Sequence, residues 1–102
     1  MPRHPWVAAA DNGKARWGVQ LIVPSERGAL LALIETAKLV ESLGFDAAFV
    51  FDHPALHADP WVAISGMATV TSRLHLGSAV NCNGYRHPAM LARLGADLDN
   101  LS

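Results

Sequence analysis

Asp52-His53 is the part of this 102-residue chain best equipped for chemistry. An imidazole exchanges a proton near neutral pH, and an adjacent carboxylate can orient it or bind a donor group of a ligand. The plainer reading is a strand-end Asp that satisfies loop backbone next to an exposed His. With His57 and Asp59, the cluster has the residue types of a metal site. It spans a probable loop with Pro54 and lacks the helical two-His signature, so no metal ligand is assigned and a metal-dependent hydrolase stays an alternative. A solvated loop for His57 and a helix cap for Asp59 are the simpler readings. Cys82 has His53 or His87 as a candidate base, but a lone cysteine is more often a small apolar filler or a site-lining group. Arg86-His87-Pro88 sets a guanidinium just ahead of a helix start, a place that favours anions. Its simpler reading is an Arg paired with a helix carboxylate.

These residues need elements to position them. Trp17–Val23 is a β-rich run that stops at Pro24. Ser25 is a candidate cap for a helix over Ala29–Leu43, where Leu30, Leu33, Ile34, Ala37 and Val40 fall at helical spacing. Gly44 sits where a helix ends in the left-handed conformation. Ala47–Phe51 is apolar at every position, the pattern of a strand covered on both faces, as in parallel sheets. Asp59-Pro60 opens a helix that runs to about Val70, because Asp is a good N-cap and Pro needs no N–H partner at the first position. Leu74–Val80 is a third strand, and His87-Pro88 starts a third helix by the same logic. Trp61, Met67 and the stripe Leu91, Leu94, Leu98 read as helix packing.

The order is βαβαβα, with strands starting about 27 to 30 residues apart, the spacing of right-handed crossover units. Both the doubly wound sheet and the eight-stranded barrel use such units, and both place function at the carboxyl ends of the strands. Those ends carry Pro24-Ser25, Asp52-His53 and Asn81-Cys82-Asn83. No glycine-rich phosphate loop follows any strand, which counts against the common nucleotide-binding versions.

Composition narrows the partners. Half of the chain is hydrophobic, about a sixth is charged and the net charge is −1, which is a globular composition. With no Lys/Arg run, nucleic acid and anionic membrane are poor partners. One cysteine excludes an internal disulfide and suits a reducing cytoplasm. No apolar run approaches a membrane span. Residues 1–16 read as a flexible leader, in which Ala8-Ala9-Ala10 lacks the preceding apolar stretch of a signal peptide.

Several segments, in order, resemble the luciferase-like flavin-dependent oxidoreductases. Leu43-Gly44-Phe45-Asp46, then Phe49-Val50-Phe51-Asp52-His53, is similar to that family's first helix exit, second strand and Asp-His pair. Asp59-Pro60-Trp61 with Ala68–Gly77 resembles its second helix and third strand. Tyr85–Ala92 and Leu98–Ser102 resemble its third helix and exit. The resemblance covers residues 17–102.

It implies an α/β fold, the first three βα units of a truncated (β/α)8 TIM-type barrel of roughly 250 residues or more. It implies an oxidoreductase, a monooxygenase or dehydrogenase, that uses FMN or the deazaflavin coenzyme F-420 on a small organic substrate. His53 would assist proton transfer, and Asp52, Ala79, Val80, Asn81 and Cys82 would line the cofactor. In many members the bond matching Ala79–Val80 is a non-proline cis peptide. Asn81-Cys82-Asn83 followed by Tyr85-Arg86-His87-Pro88 is similar to the F-420-using branch. The expected partners are the flavin and the substrate, with a homodimer as the candidate assembly at full length. These residues alone are expected to be inactive, and a non-catalytic piece that packs against a partner chain is a further alternative.

Overall fold

The structure, a computed structural model, describes residues 2–102. Three short strands alternate with helices: β1 (Gly18–Leu21), α2 (Ala29–Ser42), β2 (Ala47–Val50), α3 (Pro60–Ala68), β3 (His75–Ser78) and α4 (Pro88–Leu101), preceded by α1 (Pro5–Asp11). The sheet is parallel throughout, in the order β1-β2-β3. Gly18 pairs with Ala47 and Ala47 with His75, so the carboxyl ends of all three strands lie together.

Local chemistry sets most helix boundaries where the sequence puts them. Asp59 accepts the backbone N–H of Trp61 at 2.8 Å and starts α3, with Pro60 in the first turn. The His87 ring nitrogen accepts from Ala89 and starts α4 in the same way. At the end of α2, Gly44 adopts φ 86°. There the Gly44 N–H bonds to the Glu41 carbonyl and the Phe45 N–H to the Val40 carbonyl, a Schellman ending. The α2 start differs from expectation. Its cap is Gly28, again at φ 86°, rather than Ser25. Pro24 is held in a bridge to His57, so Ser25 is spent in the turn that follows it.

The strands are shorter than the apolar runs that contain them. Val23 leaves the ladder because its carbonyl accepts from Ala58 and Pro24 bridges His57. The expected leader holds α1, whose Trp6 ring meets His75 edge-on at 5.4 Å, at the start of β3.

The core lies on one face of the sheet. Leu21, Ala48 and Val50 from the strands, with Val23 just beyond β1, meet Leu33, Ala37 and Val40 of α2 and Ala63, Ile64 and Met67 of α3. Helices α2 and α3 approach closely at Gly66, where a Cβ would stand 2.7 Å from the Ile34 side chain. In α4 the expected stripe Leu91, Leu94, Leu98 is half-buried, and no residue of that helix is fully buried. On the opposite sheet face the Phe49 ring spans the gaps left by Gly18 and Gly77 on the flanking strands, while Ile22 stands exposed. No helix among the described residues is long and apolar enough to cross a membrane.

Candidate functional site

The exit of β3, residues 79–82, crosses the carboxyl ends of all three strands and is held from each side. The Ala79 N–H donates to the Val50 carbonyl at 2.9 Å, and the Asp52 N–H donates to the Val80 carbonyl at 3.3 Å. From β1 the Gln20 side-chain amide donates to the Ala79 carbonyl at 2.5 Å. From α3 the Trp61 indole N–H donates to the Asn81 side-chain oxygen at 3.1 Å. The Ala79–Val80 peptide is cis, and the Val80 side chain projects outward, 78% exposed.

Asp52 completes this frame. Its side chain is only 3% exposed. One oxygen, Oδ2, accepts the Cys82 backbone N–H at 2.9 Å and the Arg86 Nη1 donor at 2.7 Å. The other guanidinium nitrogen of Arg86 pairs with Asp59, whose remaining oxygen caps α3. Burial opposes the Arg86 charge, but the hydrogen bonds that it donates to Asp52 and Asp59 hold its pKa above the ordinary arginine value. Arg86 therefore bridges both carboxylates of the Asp52, His53, His57, Asp59 cluster, one positive charge shared between two negative ones.

Next to this pair is an open cleft of about 480 Å³ lined by Asp52, Pro54, His57, Ala58, Asp59, Tyr85 and Arg86. The His57 ring stacks on Phe51 at 5.4 Å, and its Nδ1 is buried without a hydrogen-bond partner. The His57 N–H donates to the His53 carbonyl, closing a turn that carries His53 outward. His53 is exposed, with its ring edge-on to His57 at 6.1 Å.

Asp52, Ala79, Val80, Asn81 and Cys82 thus share one frame, with His53 at its margin. His87 uses its Nδ1 as the cap of α4. Gln20 and Trp61 were not apparent as site residues from sequence. Gln20 had one signal, a polar residue inside an apolar strand; Trp61 had none beyond its type.

Three parallel strands alternating with helices, and a polar cleft at the strand carboxyl ends, define a parallel βα protein. The chain matches the luciferase-like monooxygenase family over residues 6–102, and it belongs to that family. No curated protein matches it.

Proposed function

We propose that these residues form the first three βα units of a (β/α)8 barrel whose strand carboxyl ends hold a flavin or deazaflavin that acts on a small organic substrate, either reduced and together with molecular oxygen in a monooxygenase, or oxidised and as hydride acceptor in a dehydrogenase. The β3 exit carries this reading: within a luciferase-like monooxygenase domain, it gathers Asp52, Asn81 and Cys82 at the strand carboxyl ends. The residues present fit a flat ring. Ile22 and Val80 stand exposed at the ends of the two outer strands, 65% and 78%, and offer apolar surface. Polar groups of the 79–82 segment border that surface.

When bound, the cofactor would accept hydride from the substrate in the dehydrogenase reading, or give electrons to molecular oxygen in the monooxygenase reading. The chain's own residues do the rest. Asp52 fixes the Cys82 backbone, and Asn81 is held by Trp61. His53, exposed beside the frame, gives or takes a proton at an imidazole nitrogen. The Tyr85-Arg86-His87-Pro88 stretch favours F-420 over FMN. The test is fluorescence titration with FMN and with F-420, using the protein expressed from its native reading frame. Saturable binding of either supports the reading, and tighter binding of F-420 supports the preference. Binding of neither would remove both.

A further inference from the structure

We propose that Arg86 is a positioning residue for this site, acting through Asp52 to set where the β3 exit stands against the end of β2; the proposal rests on the flavin reading above. The two arms of its guanidinium differ. The arm to Asp52 is buried, with side chains 15% and 3% exposed, whereas Asp59 on the other arm is 46% exposed. The buried arm ends on the same carboxylate oxygen that holds the Cys82 N–H. Without Arg86 that buried carboxylate loses its counter-charge and turns toward water, and the Cys82 N–H loses its acceptor. The exposed arm ties the segment before α4 to the start of α3, and solvent screens it.

A purely structural tie and a positioning role therefore separate by arm. If Arg86 only fastens α3 to the α4 segment, losing the Asp59 arm has the same effect as losing Arg86. If it acts through Asp52, loss of the Asp59 charge is nearly silent.

The experiment uses the protein expressed from its native reading frame, with Arg86→Met, Arg86→Lys and Asp59→Asn. Two readouts are taken: the affinity for FMN and F-420, and the rate of iodoacetamide alkylation at Cys82, followed by peptide mass spectrometry. Arg86→Met should weaken flavin binding and speed alkylation, each by about tenfold or more. Arg86→Lys should recover part of both, since an ammonium keeps the charge but not the fork. Asp59→Asn keeps a good N-cap and should stay within about twofold of the parent. Equal effects of Asp59→Asn and Arg86→Met, or no effect of Arg86→Met on alkylation, would overturn the proposal. If Arg86→Met fails to fold, Asp59→Asn against Arg86→Lys decides it: equal alkylation rates overturn it, and faster alkylation in Arg86→Lys alone supports it. If the parent binds neither cofactor, the flavin reading falls while the alkylation rates still decide the role of Arg86.

Discussion

Asp52 and Cys82 stand 30 residues apart in the chain, and the carboxylate of the first accepts the backbone N–H of the second at 2.9 Å. The bond spans from the end of one strand to the exit of the next. It converts a strand-end acid into the element that shapes the candidate site. Truncating Asp52 leaves Arg86 with its half-exposed partner alone and leaves the Cys82 N–H without an acceptor. Asp52→Ala should therefore destabilise the protein by about 3 kcal/mol, as for breaking one side of a buried pair, measured by denaturant unfolding. A change below about 1 kcal/mol would place the pair among the surface ion pairs of small effect.

His53 should behave in the opposite way. It is exposed and its side chain makes only an edge contact with His57, so His53→Ala should leave the unfolding midpoint nearly unchanged. Turnover should fall about 10²–10⁴-fold if the imidazole transfers the proton. Steady-state kinetics with the bound cofactor check this, and unchanged turnover removes His53 from the mechanism.

Glu41 links stability to pH. Its Oε1 accepts the backbone N–H groups of Ser72, Arg73 and Leu74 at 2.8, 2.6 and 3.0 Å, and so holds the turn into β3. The Arg73 and Ser72 hydrogen bonds lower its pKa below the ordinary glutamate value. Asp46 is lowered as well, first by the Trp17 N–H and then by Arg16. A carboxyl group with a depressed folded pKa binds protons more readily when unfolded, so it stabilises the fold above its unfolded pKa. That contribution should start to disappear below about pH 4.5 and be lost as pH falls through the depressed folded values. Glu41→Gln should flatten this acid-side loss, as thermal melts across the acid range would show; an unchanged slope would mean Glu41 contributes nothing to it.

Residues 1–102 expressed alone should self-associate and show no flavin oxidoreductase activity. The outer edges of β1 and β3 have no strand partner among the described residues. Ile22 and Val80 are exposed beside those edges, and such edges recruit further strands. Analytical ultracentrifugation reports the outcome, and a well-behaved monomer with a sharp cooperative transition would contradict it.

What the sequence by itself determined was local. Asp59-Pro60 and His87-Pro88 start helices where expected because a cap and a proline act within one turn. Gly44 ends α2 because φ 86° suits glycine. The all-apolar Ala47–Phe51 announced a strand covered on both faces, and β2 has Ala47, Ala48 and Val50 buried with Phe49 half-buried. The Asp52-His53 pair was visible from its place at the end of that strand.

The tertiary structure decided which polar groups meet. Arg86 reads as an anion site or, more simply, an ion-pair member, and its partners appear only when Asp52 and Asp59, 34 and 27 residues earlier, are brought to it. Gln20 reaches the Ala79 carbonyl across 59 residues, and Glu41 reaches the turn before β3 across 31 to 33. None of these distances carries a periodic signal. The true strand ends follow the same rule: β1 stops at Leu21, and just beyond it Pro24 bridges His57, a residue far along the chain that no local pattern pairs with it.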